Sequence, residues 1–287
     1  MERRRFLLTL AAGLAGAAGV RGAAVLGRAD PGRSALPARP AAARLAAAHA
    51  PAPARPHGAA GLRVIDPPTG VVSRLPGDGS TLALTIDDGV STEVVAAFVT
   101  LARRTGIRLT FFPNGRYRSW TDNATVLRPL VDSGQVALGN HTWSHPDVTT
   151  LPDGAVAEEI RRNKEFLWTT FGVRDTPFFR PPYGAHNART DRIAADEGHP
   201  TIALWDGTLG DSRVLTGAEV LAAAGQWFTA QRIVIGHANH RAVTTVYDEM
   251  LALISQRDLR TVTLADVWAT PAARLRGAVA AGRAPVE

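Results

Sequence analysis

The chain has 287 residues, an ordinary 45% apolar content and no cysteine, so it can hold one large domain plus extensions, while disulfides, thiolate catalysis and cysteine-ligated zinc are excluded. Its formal charge of +6 suggests a nucleic-acid binder until the charge is located: residues 1–60 carry nine arginines against Glu2 and Asp30, a net +7, which leaves −1 for the other 227 residues. A near-neutral domain lacks the basic surface that phosphate backbones require, and no nucleic-acid partner is expected.

The N-terminus opens Met-Glu-Arg3-Arg4-Arg5-Phe6-Leu7 and continues with fifteen small or apolar residues from Phe6 to Val20. As a helix that run reaches roughly 22 Å, short of a hydrocarbon core of about 30 Å, so it reads as a twin-arginine-like export signal rather than a stable membrane span. The rest of the segment to residue 60 is Ala, Pro, Arg and Gly. It has too few large apolar residues to offset its ordering entropy and is expected to be a disordered linker. Residues 61–287 then form the catalytic-domain candidate, with a core at about 80–268. There, strand patterns at 81–86, 108–112, 135–138, 178–179, 200–205, 232–235 and 260–262 alternate with helical patterns near 92–104, 123–133, 154–171, 187–197, 217–230 and 244–257. Thr216 and Glu219 form a capping-box signature for the fifth of these helices. About seven strands alternating with helices predict an α/β fold with a parallel sheet, most simply a (β/α) barrel, whose chemistry gathers at the carboxyl ends of the strands.

Polar clusters follow the strands. The first strand ends in Thr85-Ile86-Asp87-Asp88-Gly89, where a glycine turn allows adjacent carboxylates to reach one mouth. Taken alone, this is equally an Asp-Gly turn with a capping carboxylate. His141-Thr-Trp-Ser-His145 follows the third strand, and two imidazoles four residues apart can offer a metal two nitrogen ligands; two unrelated loop histidines have the same spacing. With Asp88 they make a two-histidine, one-carboxylate set that leaves coordination positions open. Arg180-Pro181-Pro182-Tyr183-Gly184 holds a guanidinium on a proline-stiffened loop, while Trp205, Asp206 and Asp211 precede Ile233-Val-Ile-Gly-His237-Ala-Asn-His240. A histidine paired with a carboxylate can act as a general acid. His240 reads as a surface histidine. Tyr117, Trp120, Trp143 and Trp205 are candidate sugar-stacking aromatics; core packing accounts for at least half of the four, with Trp205 and then Trp120 the ones expected near the site.

In order, Thr85–Gly89, His141–His145, Arg180–Gly184, Trp205–Asp211 and Ile233–His237 resemble the five motifs of the NodB-type polysaccharide deacetylases, carbohydrate esterase family 4, over about residues 80–268. The resemblance implies a deformed (β/α) barrel and a divalent metal, commonly zinc, held by Asp88, His141 and His145. It also implies that Asp87 is the general base for the attacking water and that Arg180 orients it. It implies further that the Tyr183 backbone amide donates to the oxyanion and that His237, partnered by Asp211, is the acid for the departing amine. The substrate implied is an acetylated amino-sugar polymer of peptidoglycan or chitin type, met outside the cytoplasmic membrane by a secreted or envelope-associated enzyme. Two departures stand out: Val90 replaces the usual proline after Asp-Asp-Gly, and Ser212 replaces the tryptophan that usually follows the fourth-motif aspartate. The second removes an aromatic wall from the acetyl pocket, which keeps O-acetyl esters and small amides open as substrates. A cell-wall glycan-binding protein that has lost catalysis is a third reading. The oligomeric state, the signal cleavage position and the particular polymer are not encoded in these motifs.

Overall fold

The computed structural model describes residues 61–270; the expected export signal and linker lie outside the described residues. The longest strand, β2 (Thr81–Asp88), follows a short β1 (Gly70–Val72) and is buried along its whole length. Next come α1 (Thr92–Thr105), β3 (Leu109–Pro113), α2 (Arg118–Asp122), α3 (Ala124–Asp132) and β4 (Val136–Leu138). The chain continues through α4 (Asp153–Phe171), β5 (Phe178–Phe179), α5 (Ala188–Asp196), β6 (Thr201–Ala203), β7 (Gly207–Thr208), α6 (Gly217–Trp227), β8 (Arg232–His237), α7 (Tyr247–Gln256), β9 (Arg260–Thr261) and α8 (Leu264–Val267).

All strand pairings are parallel. One sheet has the order β4-β3-β2-β8-β7, with β9 beside the start of β2; the other has the order β1-β6-β5. Single bridges join them, a parallel one from Asn140 to Phe179 and an antiparallel one from Arg74 to Arg232. Two parallel sheets with intervening helices are consistent with the expected deformed (β/α) barrel. Nine strands stand among the described residues where about seven were expected. The two extra strands, β1 and β7, are only three and two residues long, too short to show alternation.

The two faces of β2 explain the layering. Leu82, Leu84 and Ile86 pack with Val94, Val95, Phe98, Val99 and Ala102 of α1 and with Leu109 and Phe111 of β3. Ala83, one residue out of phase, packs instead with Phe112, Phe178, Ala203 and Ile233. The period of two therefore assigns Ala83, Thr85 and Asp87 to the face opposite the helix. Burial on both faces is what a central parallel strand requires. Helix ends are set locally: Ser91 caps α1 and Gly106 ends it with φ 75°, and the expected capping box of Thr216 and Glu219 opens α6.

Candidate active site

Asp87 sits at the end of β2, paired in register with His237 of β8. Its partner on the same strand face is Thr85, and one guanidinium nitrogen of Arg180 donates to both: 2.7 Å to Asp87 Oδ1 and 2.8 Å to Thr85 Oγ1. Arg180 is fully buried. Its Nε donates to the Ala203 carbonyl at 2.7 Å, its other terminal nitrogen donates to the Leu204 carbonyl, and its guanidinium carbon lies 4.1 Å from the Phe112 ring centroid. Burial pulls its proton affinity down, against the opposing pull of Asp87. A guanidinium with this many fixed acceptors is a rigid clamp on the Asp87 carboxylate.

Strand geometry would send Asp88 to the opposite face. Its φ of 69° breaks the extended conformation, and Gly89 follows at φ 95°. The turn is held from outside, where Trp120 Nε1 donates to the Asp88 carbonyl at 2.8 Å and Ser119 Oγ donates to that of Gly89. The two carboxylates thus reach the same mouth: His141 Nε2 lies 3.6 Å from Asp87 Oδ2 and 3.3 Å from Asp88 Oδ1, and His145 Nε2 lies 3.3 Å from that same Asp88 oxygen.

The β4–β5 bridge puts the histidines there. Asn140 N donates to the Phe178 carbonyl and Arg180 N to the Asn140 carbonyl, each at 2.9 Å. His141 thereby sits beside Arg180, whose carbonyl accepts from His141 Nδ1 at 2.6 Å. A neutral His141 with its proton on Nδ1 points a lone pair from Nε2 at Asp88. Between the histidines the chain turns through left-handed Thr142 (φ 66°) and His145 (φ 63°). Asn114 Nδ2 donates to the carbonyls of His141 and Thr142, and Asn140 Oδ1 accepts from Thr142 N.

Asp88, His141 and His145 can bring one ligand atom each within 4.8 Å of one another. The decisive atom is Asp88 Oδ1, which is buried and has no hydrogen-bond partner. An orphaned carboxylate oxygen facing two imidazole nitrogens is costly as it stands and is satisfied by a cation. Burial alone would raise the Asp88 carboxyl; His141, His145 and His237 together hold it well below the usual carboxylate range. Burial and the neighbouring His141 push His145 below its ordinary value, which favours the neutral, ligating form. The donor set fits a divalent metal.

On the other side of Asp87, His237 Nδ1 lies 3.0 Å from Asp211 Oδ1, and Asp211 Oδ2 accepts from His237 N at 3.2 Å. Burial would depress the imidazole, but the bond to Asp211 and the nearby Asp87 and Asp88 raise it above its ordinary value. Tyr183 stands in the turn after Arg180 at φ 61°, its ring largely exposed and 4.6 Å from that of His145. Ser212 is exposed beside Asp211.

The four candidate aromatics divide. Trp205 lies 5.4 Å from the Arg180 guanidinium and against Gly184. Trp120 is buried on Phe111, and Trp143 packs between Phe166 and Arg162. Tyr117 is half-buried under Arg116. Asp206 belongs to another cluster, salt-bridged to Arg232 at 2.9 Å and to Arg74 at 3.2 Å. Asn239 is a site residue that the motifs do not single out: its Nδ2 donates to Asp88 Oδ2 at 2.7 Å. The only trace of it in the sequence is an amide among the polar residues that follow the apolar run 233–235.

Residues 74–202 match the family model described as polysaccharide deacetylase. A protein of Listeria monocytogenes serotype 1/2a named peptidoglycan-N-acetylglucosamine deacetylase is 26% identical over 187 residues, 65% of this chain and 38% of that protein. An uncharacterized protein of Streptomyces coelicolor is 35% identical over 148 residues, 51% of this chain and 56% of that one. The chain therefore spans well under two thirds of these relatives. Among solved structures, a peptidoglycan N-acetylglucosamine deacetylase superposes with a TM-score of 0.62 at 20% identity, covering 70% of this chain and 92% of that one. A family 4 carbohydrate esterase of Streptomyces lividans superposes at 0.58 and 24%, covering 66% and 95%. A family 4 pseudoenzyme of Bacillus anthracis gives 0.61 and 19%, covering 71% and 69%. The structural likenesses establish the fold.

Proposed function

We propose, from the match of residues 74–202 to the polysaccharide deacetylase family model and the five NodB-type motifs of carbohydrate esterase family 4, that the chain is a metal-dependent hydrolase removing N-acetyl groups from an amino-sugar polymer of peptidoglycan or chitin type. The observation that carries this reading is Asp88 Oδ1, buried without a partner between two imidazole nitrogens and next to a second, arginine-clamped carboxylate. Asp88, His141 and His145 would hold the ion, and zinc suits two nitrogens, one carboxylate and an open position. Such an ion supplies Lewis acidity toward an acetyl carbonyl oxygen.

The remaining chemistry belongs to side chains. Asp87 takes the proton from the attacking water while Arg180 fixes its second oxygen. His237, its Nδ1–H held by Asp211, delivers a proton from Nε2 to the departing amine nitrogen. The backbone N–H of Tyr183 is the proposed donor to the oxyanion. Base and acid stand on adjacent strand ends, Asp87 and His237 being a register pair, so one acetamide can meet both. Retention of both groups supports an active enzyme over a glycan-binding protein without catalysis. The charged, then apolar pattern of residues 1–20, together with cell-wall relatives by name, supports action outside the cytoplasmic membrane.

The purified chain should contain about one divalent ion and release acetate from N-acetylglucosamine oligomers or peptidoglycan. Asp88→Ala should lose both ion and activity; Asp87→Asn should keep the ion and lose turnover by roughly a hundredfold or more. Full activity in ion-free Asp88→Ala overturns the reading. A parallel panel of O-acetyl esters and small amides decides whether exposed Ser212 widens the substrate range.

A further inference from the structure

We infer that Asn239 is a positioning residue for the metal site: locked by the Val90 backbone N–H, it holds Asp88 Oδ2 so that Oδ1 is the oxygen offered to the imidazoles. This rests on the metal-dependent reading of the site and extends it to a residue outside the five motifs.

Asn239 Oδ1 accepts from Val90 N at 3.1 Å, and its Nδ2 donates to Asp88 Oδ2 at 2.7 Å. The two bonds fix the amide orientation between them. A backbone N–H can only donate, so it must meet the oxygen, which leaves the NH₂ for the carboxylate. The Asn239 backbone is placed independently of these bonds. Ala238 N donates to the Asp87 carbonyl at 3.0 Å, and Ser91 N donates to the Ala238 carbonyl at 3.1 Å. The tail of β8 is thus laced to the segment 87–91, and the amide hangs from that lacing across the mouth of the turn.

Both oxygens of Asp88 are then accounted for. Oδ2 is held by Asn239, while Oδ1 is buried and unbonded 3.3 Å from each of two Nε2 atoms. Without the amide, a carboxylate on a residue at φ 69° followed by glycine would be free to rotate about its own axis. Position 90 contributes through its backbone, because the Val90 side chain is exposed. A proline there has no N–H to give. The valine that departs from the usual Asp-Asp-Gly-Pro run is therefore what makes Asn239 usable as a strut.

The test measures zinc affinity by chelator competition on the full chain, together with the thermal midpoint of each variant in chelator. Removing an outer hydrogen bond to a metal ligand commonly weakens binding by roughly 10- to 100-fold. Asn239→Ala should weaken zinc within that range while its metal-free thermal midpoint stays at the wild-type value. Val90→Pro, with Asn239 intact, should weaken zinc in the same direction, and the double variant should match Asn239→Ala because both changes remove one strut. Wild-type zinc affinity in Asn239→Ala overturns the inference alone; so does a double variant whose losses simply add. A wild-type chain that binds no divalent ion overturns the metal reading as well.

Discussion

His237 shows how neighbours decide what one side chain can do. Burial favours the neutral ring, yet a bond to Asp211 at 3.0 Å and the adjacent Asp87 and Asp88 raise its proton affinity. In the proposed role of general acid, His237 would keep its proton to higher pH, so turnover should fall as pH rises through its titration. Asp211→Asn removes the carboxylate that does most to hold the proton on this ring, and the alkaline limb of the rate profile should move to lower pH. A limb that does not move would remove this pair from the acid step. The candidate residues that the structure brings together were visible in the sequence because their types are scarce and their spacing is short: two histidines four apart, two adjacent aspartates, an arginine before two prolines. Asn239 was not legible. An amide in a polar loop matches many roles, and only the distances to Asp88 and Val90 pick one.

The elements put every one of these groups at a carboxyl end: Asp87 and Asp88 on β2, His141 past β4, Arg180 past β5, Asp211 past β7 and His237 on β8. That much followed from alternating strand and helix patterns, because parallel strands share one direction and so one active rim. Two short strands, β1 and β7, did not follow, although β5 and β9, no longer than these, did. Gly207-Thr208 pairs with β8, but two residues carry no periodicity, and the expected strand 200–205 shrinks to Thr201–Ala203 as the chain turns toward Asp206. The turn after β2 is where local conformation and packing meet most tightly. At φ 95°, a Cβ on Gly89 would sit inside the indole of Trp120, whose Nε1 holds the Asp88 carbonyl. Gly89→Ala should cost about 2 to 4 kcal/mol, combining backbone strain with overpacking, and on the proposed metal reading should weaken divalent-ion binding by displacing Asp88. Gly154→Ala is the contrast. It lies in the first turn of α4 with open space around it, and helix propensity should make it neutral or slightly stabilising. Urea unfolding of both variants checks the pair, and equal stabilities would mean that the indole yields freely.

Across the whole molecule, one buried polar network links the two sheets behind the rim. Asn140 donates to the Ile160 carbonyl of α4 at 2.9 Å and to His199 Nε2 at 3.0 Å, and its oxygen accepts from Thr142 N and from Asn163 Nδ2. Asn163 also accepts from Gly115 N at 2.9 Å and donates to the Pro113 carbonyl at 3.0 Å, tying α4 to the end of β3. His199 closes the network by donating from Nδ1 to the Thr176 carbonyl at 2.7 Å. Both ring nitrogens are satisfied by a neutral imidazole, whereas a proton on Nε2 would face an amide donor. Burial accordingly pushes His199 from 6.5 down to about 4. A histidine depressed on folding stays neutral while the unfolded chain takes up a proton, so the stability it confers is present above pH 6.5 and is lost as pH falls toward 4. Between pH 7 and pH 5 that loss is about 2 kcal/mol. Other groups titrate over the same range, so the informative quantity is the difference between wild type and His199→Gln, which cannot take the proton. Urea unfolding at the two pH values should show wild type losing about 2 kcal/mol more than the variant, whatever the variant's starting stability. Equal losses would mean that His199 opens to solvent or is charged in the fold, and the network would then not join the histidine loop to the second sheet as a closed, neutral unit.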